Sequence, residues 1–248
     1  MTERPILMNG AMVRATLSDA KTQTRRIVKL PVVADEMFSG GWRIEHKAVT
    51  MGIERFNRTS GEAVGGDPRI CPHGQPGDRL WVRETWRGVV SINAPGSAPE
   101  YGVARYIPAQ EHCRRVEYLS AHGRDAEPWR PSIHMPRWAS RILLEVVSVR
   151  VERLNDCSEA DAQAEGCFFT DYGRKCGHGG LGWKDVGDCE YPESHHQQRD
   201  GWMWDKTTSH EQCLGSAKSA FGNLWNSTGG DWAANPWCWV IEFKRVTP

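Results

Sequence analysis

The chain has 248 residues, equal numbers of basic and acidic side chains (31 each) and a mean hydropathy of −0.57. This balance excludes attraction of the whole protein to nucleic acid, so a nucleic-acid role would need a local basic patch. No apolar run approaches the roughly 20 residues that span a bilayer. Because residues 1–5 lack a signal-peptide pattern, we expect a cytoplasmic protein whose eight Cys are thiols or metal ligands rather than disulfides.

Short elements are predicted in the first third of the chain. Residues 5–9 have the apolar pattern of a buried strand, and residues 11–20 have the pattern of a helix. Residues 32–68 are Gly-rich with a weak pattern, which we interpret as a loop or short hairpin. A turn at residues 76–78 precedes residues 79–84, where polar and apolar side chains alternate as they do in a strand.

The rest of the chain predicts more strand than helix. The pattern gives a short strand, a long strand, a short helix, an amphipathic helix and a closing strand, at residues 103–107, 141–154, 159–165, 216–225 and 237–244. Ser158 and Asp161 form a capping box for the short helix, which ends at Gly166. Residues 111–128 and 167–210 have no clear period. We therefore expect an α+β fold in which a small sheet curls into a barrel with short helices against it.

A basic cluster, Lys-Thr-Gln-Thr-Arg-Arg at residues 21–26, contains three cations and two hydroxyls but no acid. A solvated helix face usually interleaves carboxylates with such cations. We expect the cluster at a helix end or in the loop after it, where Arg25 and Arg26 can bind phosphate. Lys21 and Thr24 can supply chemistry if the site lowers the pKa of Lys21. The alternative is an exposed basic turn.

A second polar cluster comprises His134, Arg137 and Arg141. The two arginines could extend a phosphate-binding rim, and His134 could titrate near neutral pH. The alternative is a structural segment that leads into the long strand. Trp81 and Trp86 could flank the same pocket and stack on a base, although Trp residues on a half-buried strand are more often part of a core.

Metal ligation is an open alternative in the Gly-rich stretch after residue 166. Cys167, Cys176, His178 and Cys189 are zinc-type ligands, but their spacing is not that of a zinc finger. Further His and Cys residues add candidates: His195, His196, His210, Cys213, Cys71 and His73. Free thiols are the default interpretation, and no cofactor is expected apart from this zinc alternative.

Three stretches of the chain resemble the ASCH domain family, a branch of the PUA-like β-barrel superfamily. The family signature G-x-K-x-x-T-x-R is matched by Lys21, Thr24 and Arg26, with Asp19 in place of the Gly. The family's G-D-x-L turn and its terminal V-I-E-F strand are matched as well, at residues 77–80 and 240–243.

The whole chain is more specifically similar to the long ASCH-type proteins encoded by phages and prophages. The shared stretches are Trp-Arg-Pro-Ser-Ile-His-Met-Pro-Arg-Trp-Ala-Ser-Arg and Asn-Pro-Trp, at residues 129–141 and 235–237. This resemblance implies one ASCH domain over residues 1–248. Its core would lie at about 4–30, 76–88, 129–166 and 216–246, and its insertions at about 31–75, 89–128 and 167–215.

The resemblance also implies a function. Small family members include amidohydrolases of N4-acetylcytidine, whose Lys, Thr and Glu correspond to Lys21, Thr24 and Glu165. The expectation is a hydrolase that removes an acyl group from a modified nucleobase or nucleoside in the cytoplasm of a bacterial host. The alternative is a non-catalytic module of phage origin that binds RNA or a modified base. The partner is then a nucleoside, nucleotide or RNA, and no membrane is involved.

Overall fold

The computed structural model describes residues 1–29, 41–47, 50–56, 63–93, 97–98, 100–180, 182 and 184–247. Within these ranges the α-helices are α1 (Gly10–Leu17), α2 (Leu119–His122), α3 (Glu159–Ala164) and α4 (Ala217–Ser227). The strands are β1 (Glu3–Leu7), β2 (Gln23–Ile27), β3 (Gly41–Lys47), β4 (Thr50–Phe56), β5 (Ala63–Ile70), β6 (Arg79–Arg83), β7 (Trp86–Ser91), β8 (Tyr101–Val103), β9 (Cys113–Tyr118), β10 (Leu143–Arg153), β11 (Phe168–Cys176), β12 (Lys184–Asp185), β13 (Gln198–Met203) and β14 (Trp237–Val246). The fold is α+β, with mixed sheets and few helices, as expected.

The central sheet has five strands in the order β1-β6-β10-β14-β2. The pairing of β1 with β6 is parallel, and the other neighbours are antiparallel. In the described part of the chain β1 and β2 are the two edges, and no strand pairing joins them. The Arg26 side chain on β2 nevertheless donates a hydrogen bond to the Leu7 carbonyl on β1, at 2.6 Å. The sheet is therefore open but curls until its edges approach each other.

Each predicted insertion contributes a small three-stranded sheet: β3-β4-β5, β8-β7-β9 or β12-β11-β13. No strand was predicted at 111–128 or 167–210, where the sequence has no clear period, yet these segments contain β9, β11, β12 and β13. β9 and β11 were missed because their side chains do not alternate between buried and exposed. In β9 only Glu117 is buried, and in β11 only Cys176. The short strand predicted at 103–107 lies earlier, at Tyr101–Val103.

Two apolar clusters lie on opposite sides of β14. The first contains Trp239, Ile241 and Phe243 with the inward side chains of β1, β6 and β10 and of α1. The second contains Cys238 with Phe221 and other residues of α3 and α4. Since β2 pairs with β14, its residues also alternate between the two sides. No helix in the described ranges is long and apolar enough to cross a membrane.

Candidate functional site

The basic cluster is divided between a loop and a buried strand. Lys21 and Thr22 lie in the connection after α1, as predicted, whereas Gln23–Ile27 is β2, antiparallel to β14. Lys21, Thr24 and Arg25 are each no more than 2% exposed, so the alternative of an exposed basic turn is wrong. Carboxylates from distant parts of the chain compensate the charges of the buried cations. The residues next to the basic cluster in the sequence do not show that these carboxylates lie beside it.

Lys21 has a hydrogen-bond acceptor for each of its three ammonium protons. Its Nζ donates to Glu165 Oε2 at 2.7 Å, to the Glu165 carbonyl at 2.9 Å and to the Gln23 carbonyl at 2.7 Å. Burial lowers the pKa of Lys21, and the neighbouring Glu165 carboxylate opposes this shift. The Gln23 carbonyl belongs to the peptide bond that joins Gln23 to Thr24. The Lys21 amine therefore lies beside the backbone of Thr24.

Glu165 is held by the end of helix α3. The helix begins at the capping box of Ser158 and Asp161 that the sequence predicts. It ends in a Schellman motif, in which the Gly166 N–H binds the Gln163 carbonyl and the Cys167 N–H binds the Ala162 carbonyl. Gly166 has φ +101°, a conformation that favours glycine.

The end of this helix is docked onto the basic cluster. The backbone N–H of Thr22 donates to the Ala164 carbonyl at 2.9 Å, and the backbone N–H of Lys21 donates to the Ala15 carbonyl on α1 at 3.0 Å. These bonds place Glu165 next to Lys21 although the two residues are 144 positions apart in the sequence. These backbone hydrogen bonds therefore hold the two residues close enough to form the ion pair.

Arg25 is neutralised by three carboxylates on the helix side of β2. Its guanidinium lies 3.4 Å from Glu165 Oε1, 3.0 Å from Glu152 Oε2 and 3.5 Å from Asp161 Oδ2. Arg150 extends the network through Glu152, at 2.5 Å, and Asp161, at 2.8 Å. The predicted phosphate-binding role thus has to compete with carboxylates that Arg25 already contacts.

Asp161 makes the stability of this network depend on pH. Burial raises the pKa of Asp161, but hydrogen bonds from Ser158 and the charge of Arg25 outweigh burial and lower the pKa to about 2. A lowered pKa stabilises the fold above the ordinary Asp value of about 3.9, and this stabilisation is lost as the pH falls toward 2. We expect Asp161→Asn to cost about 1–2 kcal/mol at pH 7, allowing for solvent screening, and about half of that at pH 3. Urea unfolding of both proteins at pH 7, 5 and 3 measures this difference. A cost that is equal at all three pH values would contradict the assignment.

Thr24 lies on the opposite side of β2 from Arg25, opposite Ile241 of β14. Its hydroxyl is buried and has no hydrogen-bond partner among the described residues. The structure therefore brings two members of the expected trio, Lys21 and Glu165, into direct contact. The Thr24 hydroxyl faces the other side of β2 and makes no hydrogen bond to either of them.

A cleft of about 370 Å³ adjoins β2 and the loop after α4. It is lined by Arg25, Arg26, Ile27, Lys29, His73, Trp225, Thr228, Gly229 and Gly230. Three arginine or lysine residues and no carboxylate occur in this lining, so the cleft favours an anion. Burial and the charges of Arg26 and Arg4 lower the pKa of His73 to about 4, so its imidazole is neutral at pH 7.

Two of the lining residues of the cleft were not expected at a phosphate site. His73 was considered only as an extra metal ligand, and Trp225 only as part of the apolar face of a helix. No local pattern links either residue to β2, because the contacts are tertiary. The volume of the cleft, about 370 Å³, is within the range of sites that bind small molecules.

The second polar cluster does not join the first. Arg137 pairs with Glu3 of β1 at 2.8 Å, and Arg141 pairs with Glu84, just after β6, at 2.9 Å. These partners belong to the other edge of the central sheet, and the side chain of His134 is exposed. The phosphate-binding rim suggested at Arg137 and Arg141 stays a prediction, since a phosphate would have to compete with these carboxylates. Both cations already have carboxylate partners.

The predicted tryptophans are part of the protein interior. Trp81 is 7% exposed, and the Arg83 guanidinium lies over its ring at 4.6 Å. Trp86 is fully buried and meets Trp138 edge-on at 5.9 Å. The core interpretation of these two residues is confirmed, and base stacking at Trp81 would have to displace Arg83.

Four metal-type side chains converge on the β11 sheet. Ligand atoms of Cys176, His178, Cys189 and His196 all lie within 4.8 Å of one another. All four residues were named as zinc-type candidates, His196 among the additional ones. Cys167, named with the first group, lies outside this cluster: it is the last residue of the Schellman motif, buried with α3 and α4. Burial raises the pKa of this thiol to about 12.

Comparisons with models of protein families, with curated proteins and with solved structures return no match to this chain.

Proposed function

We propose that the protein is a hydrolase that removes an acyl group from a modified nucleobase or nucleoside, most simply the N4-acyl group of a cytidine. The observation that carries the proposal is a buried lysine, paired with a buried glutamate, beside a threonine whose hydroxyl has no partner. Perturbed ionisable groups next to a nucleophile are typical of catalytic sites. The proposal includes a PUA-like ASCH fold, supported by the curled five-stranded sheet and by the resemblance of residues 19–26.

Each member of the trio has a role in this chemistry. Lys21 first passes one ammonium proton to Glu165 and becomes a neutral amine. The Thr24 hydroxyl oxygen then attacks the amide carbonyl carbon and forms a C–O bond, while its proton passes to the amine of Lys21. Glu165 holds the lysine in place and exchanges protons with it. The C–N bond then breaks, the leaving amine receives the proton, and water hydrolyses the acyl-threonine ester. The attack on the substrate requires the Thr24 hydroxyl to move into hydrogen-bond distance of Lys21. Catalytic hydrogen bonds often tighten in this way only when the substrate binds.

The cationic cleft supplies the binding site in this proposal. Arg26 and Lys29 neutralise a phosphate through charge-assisted hydrogen bonds, and Trp225 forms part of the cleft wall. Arg26 is half-buried and already tied to the Leu7 carbonyl, so its guanidinium is held at a fixed position before a ligand arrives. A fixed donor costs less entropy on binding than a free one.

Thr24→Val is the variant that tests the hydrolase most directly. It keeps the shape of the side chain and removes only a buried hydroxyl that has no partner, so we expect no loss of stability. Hydrolysis of N4-acetylcytidine and related acyl-cytidines, followed by mass spectrometry, should fall at least about 100-fold. Thr24→Ser is the matched control, because it retains the nucleophile and should retain turnover. A Thr24→Val protein as active as the wild type would contradict the proposal.

The second candidate function is a module that binds RNA or a modified base without turnover. The observation that favours it is the occupancy of all three Lys21 protons, which leaves no donor or acceptor on that group for a substrate. This candidate predicts no product at high protein concentration. It also predicts binding of cytidine monophosphate or short RNA that weakens with salt. Arg26→Gln should reduce both the affinity and the salt dependence. A protein that shows neither turnover nor binding would count against both candidates.

A further inference from the structure

The four metal-type residues are positioned by one small sheet. Cys176 is the last residue of β11 and pairs with Lys184 of β12. Cys189 follows a short 3-10 turn after β12, and His196 precedes β13. Three strands and two connections thus bring together side chains that are spread over residues 176–196. The sequence spacing Cys-x-His-x10-Cys-x6-His corresponds to no common zinc finger, which is why spacing alone could not find the site.

Two distances within the cluster match those of a tetrahedral zinc site. His178 Nδ1 lies 3.5 Å from Cys176 Sγ and 3.6 Å from Cys189 Sγ. Zinc bonds of about 2.3 Å to sulfur and about 2.0 Å to nitrogen, at the tetrahedral angle, place S and N about 3.6 Å apart. The edges from His178 to both cysteines thus already have the length that a shared metal ion requires.

His196 supplies an independent observation. Its residue is 3% exposed, and its Nδ1 lies 3.1 Å from the Pro192 carbonyl. A carbonyl acceptor at Nδ1 fixes the tautomer in which Nδ1 carries the proton and Nε2 carries a lone pair. That Nε2 is buried without a hydrogen-bond partner among the described residues. In metal-bound histidines one ring nitrogen commonly donates to a carbonyl or carboxylate while the other binds the metal. The ring of His196 has this arrangement, with Nδ1 at the carbonyl and Nε2 without a partner in the part of the chain that the structure describes.

The segment around the cluster has almost no apolar core of its own. Among the described residues of 168–213, Cys176 is the only buried apolar side chain. The other buried side chains there are His196 and Arg199. Small units that cannot bury enough apolar surface are usually stabilised by disulfides or metals. The eight cysteines in the structure are all free, so no disulfide stabilises this segment. A bound metal is the other common way to stabilise a segment of this kind.

We propose that Cys176, His178, Cys189 and His196 bind one Zn²⁺ ion as a structural site within residues 167–215. Two thiolates and two imidazoles favour zinc over the hard cations, which prefer oxygen ligands. Four protein ligands fill the tetrahedral shell and leave no position for water or substrate, so the ion stabilises structure and takes no part in a reaction. This proposal does not depend on the function proposed for Lys21, Thr24 and Glu165.

The test is the metal content of the full-length protein. After desalting, elemental analysis should find about one zinc per chain, and a chelator that removes it should make residues 167–215 sensitive to protease. Added Zn²⁺ should restore protection. Added Co²⁺ should give the visible absorption of a tetrahedral ion bound to thiolates. These measurements use the wild-type chain, so they do not depend on how well a variant folds.

Variants then identify the ligands. Cys189→Ser and His196→Gln should each lower the zinc content at least about tenfold, because each removes one ligand. Cys213→Ser and His195→Gln are the matched controls, since both residues lie in the same segment but outside the cluster. Wild-type protein that stays below about 0.1 zinc per chain after reconstitution would overturn the proposal. So would a Cys176–Cys189 disulfide found in place of the metal, or equal loss of zinc in Cys213→Ser and Cys189→Ser.

Discussion

Replacing Glu165 with Gln is expected to lower the free energy of unfolding by about 3–5 kcal/mol. The Glu165 carboxylate is 1% exposed and contacts two cations, Lys21 at 2.7 Å and Arg25 at 3.4 Å. An amide keeps the size of the side chain but removes its charge. The ammonium of Lys21, which is fully buried, then faces only the amide and two carbonyls. Breaking a buried ion pair from one side leaves such an uncompensated charge, and that residual charge rather than the lost attraction dominates the cost.

Urea unfolding at pH 7 measures this effect, and two further variants separate its causes. In Lys21→Met, Glu165 still has Arg25 as a partner, so we expect a smaller loss than in Glu165→Gln. The double variant should lose less than the sum of the single losses. Arg245→Gln is the exposed control: it breaks the pair of Arg245 with Asp19 at the surface and should cost no more than about 1 kcal/mol. A Glu165→Gln cost as small as that of the control would contradict the buried pair.

Gly166→Ala is expected to cost about 2–4 kcal/mol. Gly166 has φ +101°, where an L-residue carries a penalty of about 1–2 kcal/mol. An added Cβ would also lie 2.9 Å from the Cβ of Ala15 and 3.4 Å from that of Lys21, which overpacks the contact between α1 and α3 at about 1–3 kcal/mol. The strain falls on the Schellman motif that positions Glu165, so the substitution should disturb the ion pair as well as the helix end.

Gly229→Ala is the matched control for this effect. Gly229 also follows a helix with a positive φ, +85°, but no atom lies within 4 Å of an added Cβ. Its cost isolates the conformational penalty, so the difference between the two variants reports the clash with Ala15. Thermal and urea unfolding of both variants provide the comparison. Equal costs would show that the close approach of α1 and α3 at Gly166 is absent.

Elements with local signals could be predicted from the sequence. The long strand β10 and the closing strand β14 have dense β-branched or alternating apolar residues, and the capping box of Ser158 and Asp161 marks the start of α3. Helix α4 shows its apolar face at helical spacing. These patterns depend only on neighbours in the sequence. They can therefore be recognised in the sequence without knowledge of the tertiary fold.

The buried strand β2 could not be predicted in this way. Its cations contradict burial unless Glu165, Glu152 and Asp161 are known to lie beside them, and no local pattern shows this. The same reason explains the zinc cluster, in which His196 was one of several unplaced histidines. Sites made of distant residues need the topology first. The sequence and the family resemblance could name Lys21, Glu165 and the metal-type residues, but not which of these side chains come into contact.

The pairing of β2 with β14 also determines the order in which the protein can assemble during synthesis. β2 leaves the ribosome long before its only strand partner among the described residues, β14, at residues 237–246. Until then Arg25 and Arg26 on β2 have no neighbouring strand, and the carboxylates that contact Arg25 follow only at residues 152–165. Contacts between such distant segments form slowly, because the intervening chain must first be closed into a loop. The site proposed at Lys21, Thr24 and Glu165 is therefore completed only after β14 has been synthesised.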